Sequence, residues 1–149
     1  MERTEIPNII EVFRKTSGWN RVPPEKALRS DIAGMEMFSP ALVGISSAED
    51  PAFLLLKREG VVGPQFLLPR EWLPGARSVV SFFLPFTARV REANAESGLE
   101  PAQEWLHGRI EGQEFIDRLS RALVERLREE GGDAVSPSVD ERFASCTVR

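Results

Sequence analysis

Residues 70–86 read REWLPGARSVVSFFLPF, and no other part of the chain constrains the architecture as strongly. A Pro/Gly turn leads into an extended segment with almost no polar side chain. Its apolar residues fall on both faces of a strand: Val79, Val80, Phe82, Phe83, Leu84 and Phe86. Strands of this kind are normally covered on both sides. We therefore predict an interior strand of a layered sheet that helices cover on both faces.

The segments around this strand predict alternating helices and strands. Apolar spacing of three and four residues predicts an amphipathic helix over residues 4–16, with Thr4 as its N-cap. Residues 41–46, ALVGIS, predict a second buried strand. Asp50 then caps a helix that Gly60 ends.

The second half of the chain predicts one dominant helix, over residues 101–130. Gly108 and Gly112 lie in its first half, where they mark a bend, a close approach by another backbone, or a division into two helices. Residues 133–143, DAVSPSVDERF, predict a third strand followed by a loop. The element order favours the α/β class, with a sheet between layers of helices.

Two segments predict irregular structure. Residues 17–40 hold three prolines and two glycines, and their apolar residues Met35, Met37 and Phe38 either pack beside the core or form a mobile lip. Residues 87–100 are polar and predict a loop or lid.

Length and composition predict one soluble domain over residues 1–149. The 19 basic and 23 acidic residues give a net charge of −4, which disfavours a DNA-binding surface. No apolar run approaches the roughly 20 residues that span a bilayer. The N-terminus lacks the features of a secretory signal, so we expect a cytoplasmic protein with no membrane partner.

The residue counts also limit the chemistry. The chain has one histidine, His107, one cysteine, Cys146, and no tyrosine. These counts exclude a zinc site of three or four His/Cys ligands, and a 4Fe–4S cluster normally needs four cysteines. We therefore predict no metal site and no self-contained cofactor site.

Three segments follow one another along the chain: PALVGISSAEDPAF (40–53), PREWLPGARSVVSFFLPF (69–86) and EWLHGRIEGQEFIDRLSRALVERLREEG (104–131). Together they resemble the N-terminal part of the epoxyqueuosine reductase-like family of 4Fe–4S proteins. The resemblance covers residues 36–143. It leaves an N-terminal helix and irregular arm over residues 1–35 and a tail over residues 144–149.

The resemblance implies an α/β domain similar to the corrinoid-binding, nitroreductase-like domain of that family, either complete or lacking part of its sheet. Characterised members reduce epoxyqueuosine in tRNA with cobalamin and two 4Fe–4S clusters. Their clusters lie in a C-terminal module with CxxCxxCxxxCP runs, which this chain lacks. The resemblance therefore implies the front domain of an oxidoreductase, catalytically incomplete in this chain. It is a truncated product, a domain that a neighbouring chain completes, or a domain kept for another role.

One catalytic residue follows from the same resemblance. Pro137-Ser138-Val139-Asp140 is similar to the family's Pro-x-Val-Asp stretch, which implies that Asp140 donates a proton to the substrate. The alternative is a loop aspartate that bonds its own backbone.

Other residues have two interpretations each. His107 is a ligand or proton relay, or more simply a surface or half-buried helix residue. Cys146 contributes to an intersubunit cluster or bridge, or is an incidental thiol. Trp72 packs against the sheet edge, or stacks on a flat ligand. Four arginines form a basic lining for a phosphate-bearing ligand, or are solvated surface charges: Arg77, Arg89, Arg91 and Arg109.

Two function classes follow. The first is a corrinoid/iron–sulfur reductase region that a cluster-bearing partner chain completes, with tRNA as a partner through the resemblance alone. The second is a non-catalytic α/β binding module that forms a homodimer. A flavin-binding module is a weaker third option. In either main class we expect an apolar sheet surface that is exposed in the monomer and covered by its partner.

Overall fold

A computed structural model describes residues 5–143. The helices and strands in chain order are α1 (Glu5–Thr16), β1 (Leu42–Ser47), α2 (Ala52–Leu56), α3 (Pro69–Trp72), β2 (Ser78–Phe83), α4 (Ala88–Glu96) and α5 (Gln103–Glu129). Short 3-10 helices lie at Pro24–Lys26, Ser30–Ile32 and Pro137–Val139. The chain is thus a mixed helix and strand protein, as the sequence predicts.

The sheet is smaller than predicted. Within residues 5–143 it has two strands, β1 and β2, which pair antiparallel with Leu42 opposite Phe83 and Ser47 opposite Ser78. The third strand predicted over residues 133–143 is wrong. That segment instead contains the 3-10 helix Pro137–Val139, and its proline lacks the N–H that a strand ladder needs.

One face of the sheet is packed and the other is open. Val43 and Ile45 of β1, with Val80 and Phe82 of β2, pack against the core. On the opposite face the facing pair Leu42 and Phe83 is 67% and 64% exposed. The prediction that helices cover both faces is therefore not met within residues 5–143, because the described elements pack against one side.

The core lies where α1, α5 and the segment 17–40 meet the packed face of the sheet. Its buried members are Ile6, Ile10, Val22, Ile32, Met35, Met37, Phe38, Leu84, Val90, Phe115, Leu119 and Leu123. Met35, Met37 and Phe38 thus belong to the main core, deeper than the packing beside it that the sequence predicts, and do not form a lip.

Side-chain bonds to the backbone hold the irregular segment 17–40 in place. The buried Asn20 side chain accepts a bond from the Phe38 N–H and donates one to the Phe38 carbonyl, both at 2.9 Å. The Arg14 guanidinium donates to the same carbonyl at 3.1 Å. These bonds satisfy backbone groups that lie outside any helix or sheet ladder.

The predicted loop or lid over residues 87–100 is wrong, because the chain forms α4 there. Its residues are mostly good helix formers, and its one fully buried side chain, Val90, anchors it to the core. Val90 is the only large apolar residue among these nine, so the sequence gives no periodic signal, which explains the missed helix.

The ends of the predicted helices agree with the structure in part. Gly18 and Gly131 adopt positive φ angles of 78° and 81° just beyond α1 and α5, as helix-ending glycines do. The Asp50 carboxylate accepts a bond from the Ala52 N–H at 2.9 Å at the start of α2. That helix ends at Leu56, before the predicted Gly60, and Thr4 lies outside the described residues.

Of the helices in residues 5–143, none combines the length and the apolar character that crossing a bilayer requires.

Candidate interaction site

An open groove of about 320 Å³ runs between the end of β2 and the first half of α5. We call it the aromatic groove. Its lining consists of Phe38, Phe82, Phe83, Leu84, Phe86, Gly108, Arg109, Gln113 and Ile116. The groove therefore joins the sheet to the long helix through apolar side chains, with two polar residues from α5.

Two glycines of α5 bring the aromatic rings close to the helix. A β-carbon at Gly108 would lie 2.6 Å from Phe86 Cε1, and one at Gly112 would lie 2.9 Å from Phe38 Cζ. The helix is continuous through both positions. The glycines thus accommodate two phenyl rings, and they do not divide the segment into two helices.

The floor of the groove continues into the core through ring contacts. Phe38 and Phe86 stack with centroids 5.2 Å apart and an interplanar angle of 11°. Phe38 also contacts Phe115, and Phe115 contacts Phe13, each at 5.8 Å. Each such ring pair stabilises the folded state by roughly 0.5–1.5 kcal/mol in addition to the effect of its buried area. The floor of the groove is therefore held in place by packing against the core.

Exposed apolar side chains occur both at the groove and elsewhere on the elements that form it. Phe83 belongs to its lining and is 64% exposed, and Leu42 faces it across the sheet. Ile110, which follows Arg109 on α5, is 65% exposed. One end of the open sheet face is therefore apolar and exposed, whereas Gly44, Ser46 and Ser81 on the same face are small or polar.

The groove has a single positive charge in its lining. Arg109 makes no ion pair with any residue in the described range 5–143, whereas the Gln113 amide donates to Asp117 at 2.9 Å. An unpaired guanidinium beside an apolar surface suits an occupant that combines an apolar group with a carboxylate.

Asp140 does not line the groove. Its carboxylate accepts two bonds from the Arg142 guanidinium, at 2.7 and 2.9 Å, and one from the Arg142 backbone N–H. The Arg142 side chain and its backbone N–H together lower the pKa of Asp140 to about 2. The bond from the Arg142 N–H agrees with the alternative interpretation, a loop aspartate that bonds its own backbone. The role of Asp140 as a proton donor stays a prediction.

Arg142 also links this loop to α3. Its guanidinium donates two bonds of 3.1 Å to the Trp72 carbonyl and lies 5.0 Å from the centre of the Trp72 ring. Trp72 therefore stacks on an arginine of the chain itself.

His107 is a buried structural residue, deeper than the surface or half-buried position predicted. It is 3% exposed. The Nε2 atom accepts a bond from the Leu28 N–H at 3.2 Å, and the Nδ1 atom lies 2.8 Å from the Glu111 carboxylate. Since both ring nitrogens are engaged within the fold, His107 ties the segment 27–28 to α5.

Of the four candidate arginines, only Arg109 lines the aromatic groove. The Arg89 guanidinium donates to the Asp31 carboxylate and carbonyl. Arg77 precedes β2, and Arg109 lies beside the other end of that strand, so roughly the 17–20 Å of a short strand separates them.

Cys146 lies outside the described residues. Among residues 5–143, no three His, Cys, Asp or Glu side chains are grouped in a way that could hold a metal ion.

No protein-family model, no curated protein and no solved structure matches this chain. The fold and the site define a mixed helix–strand domain with an open aromatic groove beside an exposed sheet face.

Proposed function

We propose that this chain is a non-catalytic α/β binding module that forms a homodimer through the aromatic groove and the open face of the sheet. One observation carries the proposal. Phe83 lines the groove, is 64% exposed, and faces the equally exposed Leu42 across the two strands. Exposed large apolar side chains that adjoin an apolar groove are a common feature of interaction sites on soluble proteins.

The absence of charge on the strands favours a second copy as the partner. Neither LVGISS of β1 nor SVVSFF of β2 contains a charged residue. A two-fold dimer brings the same patch of both copies together, so an uncharged patch meets no like-charge repulsion. A second copy would cover the open face and complete the layered arrangement predicted from the sequence.

Sedimentation velocity over a range of concentrations tests the dimer. Phe83→Ser removes the exposed ring at the groove and should shift the protein from dimer to monomer. Val12→Ser is the matched control, since Val12 is 49% exposed on α1 and does not line the groove. A wild-type protein that stays monomeric at high concentration would contradict the proposal.

The second candidate is the front domain of a cytoplasmic epoxyqueuosine reductase-like protein. Its support is that the three resembling segments supply β1, β2 and α5, which adjoin one another around a single core. A cluster-bearing partner chain would then cover the open face, and tRNA would be its substrate.

The single cysteine of this sequence cannot by itself hold a 4Fe–4S cluster. A partner chain would have to contribute the cluster-binding cysteines. Asp140, with a pKa of about 2, would also have to lose Arg142 before it could carry a proton.

The visible absorption spectrum of the purified protein separates the candidates. A colourless dimer supports the binding module. A red or brown protein, or one that retains added cobalamin through gel filtration, supports the reductase domain. A yellow protein would support the flavin-binding option.

A further inference from the structure

The loop between α4 and α5 exposes the side chain of Leu99, and hydrogen bonds hold the two ends of this loop. Leu99 is fully exposed, at 107% of its reference area. The Ser97 hydroxyl donates to the Asn94 carbonyl at 2.8 Å, and the Asn94 side chain accepts from the Ala102 N–H at 3.2 Å. Both ends of the loop are therefore bonded, and Leu99 projects from a defined position.

The residue after Leu99, Glu100, carries a negative charge, which is opposite to that of Arg109 in the aromatic groove. Glu100 makes no ion pair in the described range 5–143, and Arg109 is unpaired there as well. A leucine followed by a free carboxylate is thus complementary to an apolar groove with a free guanidinium.

The two features lie apart within one copy. Arg109 is six residues beyond Gln103, the first residue of α5, which is about 9 Å along the helix axis. The loop between α4 and α5 lines a second open pocket together with Trp105, and Arg109 is not part of that pocket. Leu99 and the groove are therefore available to a second molecule.

We propose that each copy of the dimer inserts Leu99 into the aromatic groove of the other copy and pairs Glu100 with its Arg109. This contact rests on the homodimer proposed above and specifies its geometry. A two-fold axis repeats the contact, so each dimer contains two identical Leu99 insertions and two Glu100–Arg109 pairs.

Charge reversal tests the pairing directly. Glu100→Arg and Arg109→Glu should each weaken dimerisation by about tenfold or more, because each places like charges together twice per dimer. The double variant should regain the wild-type dissociation constant. An equimolar mixture of the two single variants should also dimerise, since a mixed dimer restores both pairs.

Two control variants match these changes. Arg91→Glu reverses an exposed charge on α4 and should leave the dimer unchanged. Leu99→Ser should weaken the dimer, whereas Val12→Ser should not. Circular dichroism and thermal unfolding of each variant verify that the fold is retained.

The outcomes distinguish the two proposals. A wild-type monomer overturns both. A dimer that Phe83→Ser disrupts, but that neither charge reversal weakens, overturns the Leu99–Glu100 contact and leaves the homodimer standing. If both charge-reversal variants lose dimerisation and their equimolar mixture does not regain it, the contact is also overturned.

Discussion

The ring of Phe86 lies so close to Gly108 that a β-carbon at position 108 would be 2.6 Å from Phe86 Cε1. Glycine inside a helix costs about 1 kcal/mol relative to alanine. Gly108 lets the ring of Phe86, which follows β2 in the chain, pack directly against α5. The packing of the groove floor therefore depends on a residue that by itself destabilises the helix.

Gly108→Ala should lower the free energy of unfolding by about 1–2 kcal/mol, although alanine favours the helix. The added methyl group must displace a ring that is stacked on Phe38, and overpacking of this kind typically costs about 1–3 kcal/mol. Urea unfolding measures the change. In a Phe86→Leu background the same substitution should be neutral or stabilising. An equal loss in both backgrounds would show that the ring is not the cause.

Asn20→Ala should destabilise the protein by about 2–3 kcal/mol. Asn20 is 1% exposed and bonds both backbone groups of Phe38. Its removal leaves a buried N–H unsatisfied and deprives a buried carbonyl of one donor. Asn8→Ala, at an exposed position of α1, should change the unfolding free energy by less than about 0.5 kcal/mol. Similar losses from both variants would contradict the role of Asn20.

Arg142→Gln should raise the pKa of Asp140 from about 2 toward its ordinary value of 3.8, because the guanidinium is the main cause of the lowered pKa. Carboxyl carbon chemical shifts, followed by NMR through a pH titration, give the pKa directly. Arg126→Gln is the control, since Arg126 pairs with Glu129 and Glu130 instead. A wild-type Asp140 that titrates near neutral pH would restore its role as a proton donor.

Glu11 should contribute acid-sensitive stability. Hydrogen bonding from Arg14 lowers the pKa of Glu11 from 4.5 to about 2. A carboxyl group whose pKa is lower in the folded state stabilises that state above pH 4.5 and loses this effect as the pH falls through about 2. Near neutral pH, the free energy of unfolding of the wild type should exceed that of Glu11→Gln by about 1 kcal/mol, after allowance for solvent screening.

Chemical unfolding of both proteins from pH 6 to pH 2 measures this difference. The two stability curves should converge toward the acid end. Curves that run parallel over the whole range would mean that the ion pair is not the source of the pH dependence.

Regular periodicity made part of the fold predictable. The spacing of apolar residues predicted α1 and α5 close to their observed bounds, and the runs ALVGIS and SVVSFF predicted the two strands. The short helix α4 was not predictable in this way, because Val90 is its only buried side chain.

The candidate site was less predictable than the fold. The sequence singled out Phe83, Gly108 and Arg109 for separate reasons, as a strand residue, a helix glycine and a possible phosphate ligand. They share a groove because the end of β2 lies beside the first half of α5. The clearest signal in the sequence was the pair of glycines four residues apart, which lie on one face of a helix.

The sequence by itself determined which segments are helical or extended, since these depend on neighbours a few residues away. Tertiary structure decided which face of each strand is covered, why two glycines occupy a long helix, and how Asn20 holds the irregular segment. Those properties depend on groups far apart in the chain, and no local pattern of side chains encodes which of them will meet.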